Sequence, residues 1–239
     1  RGKILQGMSA VRLLPGSLRT LSLQAACITE SLELHAFPHL TELVVSSHTR
    51  ASCPLVGSPP PALQTVSLEH SSSWQQSVAA LPGTVTSLTL SNCILDGILD
   101  LNRFTELTDL ELRHDDDEGR PELTKLVLLQ LRNVQIISDW AHALIRQLPP
   151  SVTSLYLHMP GGGFPGVPPL ALDGLLPQLN HLEVAGTEIE DCNLTHLPCT
   201  LRCISVEAYW CEMNDVALQL AKSGAHTTID LWGFVFEVT

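Results

Sequence analysis

The chain has 239 residues, enough to bury a substantial core as one domain or one solenoid. Hydrophobic residues make up 44% of it, which excludes a disordered polymer. Its 25 acidic and 13 basic residues leave a formal charge of -12, which argues against a nucleic-acid or anionic-membrane binder, because such proteins need a positive footprint. No apolar run approaches the roughly 18 residues of a membrane span, so no membrane insertion is expected. The chain begins at Arg1 rather than Met, so it is expected to be processed or to be a fragment of a longer chain.

In chain order, the pattern LxxLxL recurs. Naming its apolar sites first, fourth and sixth, the first sites fall at Leu18, Leu40, Leu63, Val85, Leu107, Leu126, Val152, Leu179, Leu201 and His226. Successive differences are 22, 23, 22, 22, 19, 26, 27, 22 and 25. The fourth and sixth sites are aliphatic throughout, from Leu21 and Leu23 to Ile229 and Leu231, and the residue between them is mostly polar. That period-2 alternation predicts short strands with one face buried. Because about 22 residues return the chain to the same place, each strand is expected to lie parallel to the last and to share one continuous core.

Prolines precede many of these strands, at Pro15, Pro38, Pro61, Pro82, Pro149, Pro177 and Pro198. Proline cannot continue a helix and favours extended chain before it. Between strands, Ser73-Trp74-Gln75-Gln76 reads as a capping box opening a helix, with Trp74, Val78 and Leu81 on one face. A second helix is predicted from Ser138, with Trp140, Leu144 and Leu148 aligned, and a third from Asn214 to a cap at Gly224. The last two lie in units of 26 and 25 residues, so the longer units are expected to be the ones with room for a helix. Residues 48–61 and 160–169 read as Pro-rich loops. The second contains Gly161-x-Gly163-x-x-Gly166, but Pro165, Pro168 and Pro169 forbid the helix that a dinucleotide fingerprint must open.

The seven cysteines show no CxxC pair, and the spacing of Cys192, Cys199, Cys203 and Cys211 matches no common zinc pattern. They read chiefly as buried apolar side chains in a reducing compartment, which leans intracellular (cytoplasmic or organellar). A disulfide near the C-terminus is the alternative. Asp115-Asp-Asp-Glu118 reads as a solvated acidic turn, since an EF-hand's later bidentate Glu is missing. No GxSxG, HExxH or GxxxxGK[ST] occurs, so no catalytic residue, metal or cofactor is expected.

Over roughly residues 11–235, the recurring LxxLxL with Cys93 at a ninth position resembles the leucine-rich repeat family. Leu81-Pro-Gly-Thr-Val-Thr-Ser-Leu-Thr-Leu and Leu148-Pro-Pro-Ser-Val-Thr-Ser-Leu-Tyr-Leu are also similar to FNIP repeats. The resemblance implies an α/β solenoid: one leucine-rich-repeat horseshoe over residues 1–239, of about ten repeats, with a parallel concave β-sheet and an irregular or helical convex side. It implies that the side chain at the ninth position bonds to backbone inside its turn. With Ala26, Ser71, Asp115, Val134 and Thr187 at other ninth positions, the expected solenoid is irregular. It also implies protein–protein recognition, commonly within a larger multi-protein assembly.

On that expectation, residues at the seventh position face the concave surface. Arg113, Arg132 and His158 are expected to form a basic row there, with His114, Asn133, Tyr156 and His181 beside it and Trp232 in the last repeat. The row is expected to bind a protein or peptide with an acidic or polar segment, Tyr156 serving as aromatic anchor. The function expected is thus a binding module or scaffold subunit. The alternatives are the substrate-recognition part of an F-box type ubiquitin ligase and a non-catalytic appendage of an enzyme.

Overall fold

Where aliphatic and polar residues alternate, the computed structural model forms strands. It describes residues 11–25, 30–47, 53–93, 97–114, 121–123, 126–128, 130–137, 141–159, 170–186, 194–195, 197–208, 227–231 and 234–238. The fold is a parallel β-solenoid with repeats of about 22 residues and little helix. The chain forms two compact units, Arg1–Glu122 and Leu123–Thr239.

In the first unit the strands are β1 (Thr20–Ala25), β2 (Leu32–Glu33), β3 (Glu42–Ser47), β4 (Leu55–Val56), β5 (Thr65–Glu69), β6 (Ser87–Ser91), β7 (Gly97–Leu99) and β8 (Asp109–Arg113). Helix α1 (Trp74–Ala79) lies between β5 and β6. The main sheet runs β1-β3-β5-β6-β8, all parallel, and β2 pairs with β4 in a separate parallel ladder. Leu21, Leu43, Val66, Leu88 and Leu110 stand side by side in register, as the repeat alignment requires. Strands β5 and β6 alternate buried and half-buried residues along their whole length. The core lies behind the sheet, where Leu43, Leu63, Val85, Leu88 and Leu90 are buried along with Leu34, Phe37, Trp74 and Phe104 from the return segments.

Strand β9 (Pro121–Leu123) falls at the boundary. The second unit holds β10 (Asn133–Ile137), β11 (Ser154–Met159), β12 (Leu170–Ala171), β13 (His181–Gly186), β14 (Leu194–Thr195), β15 (Cys203–Ala208), β16 (Thr227–Leu231) and β17 (Phe234–Val238). Its helices are α2 (Ala141–Ile145) and α3 (Leu172–Leu175). The order is β10-β11-β13-β15-β16-β17, parallel until β17, which turns back antiparallel onto β16. That closing hairpin was not expected. Strands β12 and β14 pair separately.

One register differs from the expectation. Val134 stands opposite Leu155, and Ile136 opposite Leu157. Leu131 is therefore the first site of this repeat, and the expected strand at Leu126, Leu129 and Leu131 is displaced by five residues. The turn before each strand gives the same assignment. The first-site N–H donates to the carbonyl three residues back at Leu40, Leu63, Val85, Leu107, Val152, Leu179 and Leu201, and Leu131 N donates to Leu128 O at 3.1 Å. Prolines at 15, 60, 82, 149 and 198 supply that carbonyl, so their fixed φ shapes the turn that launches the strand.

Helix α1 forms where the sequence places it, with Trp74 and Val78 buried, but Ser73 makes no capping bond to it. The Ser73 hydroxyl lies 3.5 Å from that of Ser71 instead. Helix α2 starts at Ala141, buries Leu144 and leads to buried Leu148. Its repeat runs only from Leu131 to Val152, so a long unit is not what admits a helix. Helix α3 was not expected. Strand β4 lies within the Pro-rich stretch 48–61, where Gly57 takes φ 84° and a Cβ would come within 2.9 Å of His35 Nδ1. The second Pro-rich loop, Trp140, the helix from Asn214, the 115–118 turn, Cys192 and Cys211 lie outside the described residues.

Candidate functional site

Each repeat meets the last through a spine of carbonyls at the leading edge of the main sheet. In the first unit, Thr41 N donates to Arg19 O, Gln64 N to Thr41 O, Thr86 N to Gln64 O and Thr108 N to Thr86 O, at 2.7 to 2.9 Å. In the second, Thr153 N donates to Arg132 O, Asn180 N to Thr153 O and Arg202 N to Asn180 O, at 2.8 to 2.9 Å. Hydroxyls reinforce the contact one residue before the first site. Thr84, Ser151 and Thr200 each donate to the first-site carbonyl of the preceding repeat, at Leu63, Leu131 and Leu179. The rigid backbone this creates fixes where each outward side chain stands.

On the first unit, most outward residues are small and polar or acidic. Thr20 donates to Glu42, and Thr89 to Glu111, both at 3.3 Å. Arg113 is exposed at the end of β8, beside Ser91. His114 follows it but is only 4% exposed, so it does not stand beside Arg113 on the open face. The equivalent position in β3, Ser47, is also buried. At the same position in the two repeats between them, His70 and Asn92 take φ 53° and 50°, and donate their N–H to Ser91 O and Arg113 O.

On the second unit, Tyr156 stands opposite Glu183, and His158 opposite Ala185. Tyr156, His158, His181 and Glu183 are all half-buried, and His181 Nε2 lies 3.9 Å from Glu183 Oε2. Tyr156 and His158 are thus in the expected columns. The corrected register moves two others. Ile137, 3% exposed, takes the position opposite His158 that was expected for Arg132. Arg132 stands instead at the leading edge, where its Nη1 donates to Ser151 O at 3.0 Å, and exposed Asn133 opens β10 opposite Ser154. Arg113, Arg132 and His158 are therefore not one column of equivalent positions. Trp232 lies outside the described residues.

Cys93 is fully buried in the first unit, with its Sγ 3.4 Å from Leu68 O and 3.6 Å from Ser91 O. It bonds to backbone inside the turn, as the resemblance implies for a ninth position. Burial pushes its thiol up to about 11, aided by the Glu69 charge and opposed by backbone bonds to Ser71 and Ser91. Burial likewise raises Cys53 to about 11, against a backbone bond with Leu32. Neither thiol suits a nucleophile at neutral pH. Among the described residues no group of three or more His, Cys, Asp or Glu is placed to hold a metal ion. No described helix is long and apolar enough to cross a membrane.

No protein-family model, curated protein or solved structure matches the chain. The arrangement places hydrogen-bonding and aromatic side chains on paired strands.

Proposed function

We propose that this chain is a leucine-rich-repeat recognition module, a non-catalytic subunit of a larger protein assembly. The main sheet's outward face is the concave binding surface of its horseshoe. The observation that supports this reading most is the group Tyr156, His158, His181 and Glu183 on β11 and β13. An aromatic ring and a carboxylate stand side by side at half-buried strand positions, with one imidazole two residues along on either side, where small polar residues prevail elsewhere. Tyr at such a position contributes large contact area with little entropy to lose, a property of binding hot spots. Repeated short strands also suit a partner that is extended or broad rather than a small molecule, which needs an enclosing pocket.

The test is partner capture from the native cell extract, comparing the wild type with the double variant Tyr156→Ala, His158→Ala. Both side chains point away from the core, so folding should be preserved, which circular dichroism checks. Loss of specific partners in the variant is the expected result. An identical partner set from both proteins would overturn the proposal.

A further inference from the structure

Along β11, β13, β15 and β16, the positions that alternate with core residues hold no Lys or Arg. Glu183, Glu207 and Asp230 occupy three of them, opposite Tyr156, Ala185 and Ser205 in turn. Residues 154–239 as a whole contain ten acidic residues against Arg202 and Lys222, so a partner approaching this part of the chain meets net negative charge. Arg202 is exposed, one residue ahead of β15. The Tyr156 ring sets this part of the sheet apart. On the first unit no aromatic residue holds an outward position of β1, β3, β5, β6 or β8, and Glu42 and Glu111 accept the hydroxyls of Thr20 and Thr89.

We propose that Tyr156 and Glu183 form a seat for a lysine or arginine side chain, carried on an extended basic segment of a partner protein. The inference names the partner chemistry of the recognition surface and rests on that reading. Tyr156 and Glu183 are direct cross-strand neighbours, about 4.8 Å apart at the usual strand spacing, and both are half-buried. A cation over the ring face is attracted by its quadrupole, and the same cation reaches the carboxylate beside the ring. Half-burial strengthens both attractions, because part of the screening water is already excluded. The seat uses one face of the ring and one carboxylate oxygen, and neither group has to lack other partners. His181 Nε2, 3.9 Å from Glu183 Oε2, competes for that carboxylate only when protonated. Asp230 stands two strands beyond Glu183 in the same row, roughly 10 Å away, so a segment crossing the strands passes both acidic positions.

The experiment is fluorescence anisotropy with a labelled ten-residue peptide of alternating arginine and serine. Two otherwise identical peptides carry glutamate or glutamine in place of arginine. The wild type should bind the arginine peptide about tenfold more tightly than either, and the affinity should fall as salt rises from about 0.05 to about 0.5 M. Tyr156→Leu and Glu183→Gln should each weaken binding about fivefold, while Tyr156→Phe, which keeps the ring, should stay within about twofold of the wild type. Glu106→Gln, the same charge change at an exposed position of the first unit, should also stay within about twofold. Circular dichroism checks that each variant is folded. Binding of the glutamine peptide as tightly as the arginine peptide would overturn the assignment, and so would a Tyr156→Leu variant that binds like the wild type. Equal losses with Glu106→Gln and Glu183→Gln would overturn it too, since they would mark diffuse charge rather than a seat. If the arginine peptide fails to bind while the Tyr156→Ala, His158→Ala variant still loses partners from the extract, the seat alone is refuted and the recognition reading stands.

Discussion

Arg103 reaches back to Leu81, one repeat earlier, and its Nη2 donates to Leu81 O at 2.6 Å. Its Nη1 donates to Ala79 O at 2.7 Å. Both carbonyls lie at the C-terminal end of α1, where a helix leaves acceptors unpaired and favours a cation. The guanidinium carbon also sits 5.4 Å from the centroid of the buried Phe104 ring. A planar fork meets all three demands, and a lysine ammonium cannot bond both carbonyls in the same geometry. Arg103→Ala should lower stability by about 1 kcal/mol, with Arg103→Lys recovering less than half. Urea denaturation measures both, and a lysine variant as stable as the wild type would show that the fork is unimportant.

Ser151 carries a similar contact into the second unit's core. Its hydroxyl, 6% exposed, donates towards Leu128 O at 3.1 Å and Leu131 O at 2.9 Å. Removing it leaves two carbonyls near the core without this donor. Ser151→Ala should cost about 1 to 2 kcal/mol. Ser151→Thr, which keeps the hydroxyl as at the equivalent Thr84 and Thr200, should cost less. Equal denaturation midpoints for the alanine and threonine variants would contradict the role given to the hydroxyl.

Strand placement was largely legible because sheet packing demands an aliphatic pair at fixed spacing, and Leu21 with Leu23 or Leu182 with Val184 leave little choice. It failed at residues 126–136 because two patterns overlap there, sharing Leu131. Leucine content favoured the earlier pattern. A cue against it was the short difference of 19 followed directly by 26, which become 24 and 21 once Leu131 is the first site. Val134, Ile136 and Ile137 also have the β-branched shape that strands favour. The burial of His114 and the hydroxyl contacts between repeats left no such signal, since they depend on side-chain direction rather than apolar period. Tyr156 and His158 stand in the columns the repeat spacing gives them, but moving one strand displaced Arg132 to the edge of the sheet.

The revised register separates Ile137 from Arg132 experimentally. Ile137 is 3% exposed and apolar, so Ile137→Asp should destabilise the fold by about 3 kcal/mol or more through an unpaired charge in the core. Arg132→Asp, at the half-buried leading edge, should cost about 1 kcal/mol, the loss of its bond to Ser151 O. In the displaced register Arg132 would instead stand opposite His158. Chemical denaturation of the two variants decides between them, and equal costs would reopen the assignment.

Cys53 and Cys93 should make the fold sensitive to alkali. Both thiols rise from the ordinary value of 9.0 to about 11, because burial disfavours the thiolate. Below pH 9 they are protonated whether the chain is folded or not, and their contribution to stability is fully present. Between pH 9 and about 11 the unfolded chain releases these protons while the folded one keeps them, so stability falls through that window. A Cys53→Ala, Cys93→Ala variant is less stable at neutral pH, having lost two buried side chains, but its stability should fall less steeply above pH 9. Denaturation at a series of pH values reads the two slopes, with lysine and tyrosine titrations common to both proteins. Parallel slopes would refute the assignment. In the native protein at pH 8, mass-mapped alkylation should label exposed Cys199 well before Cys53 or Cys93, which lie behind the packed sheet.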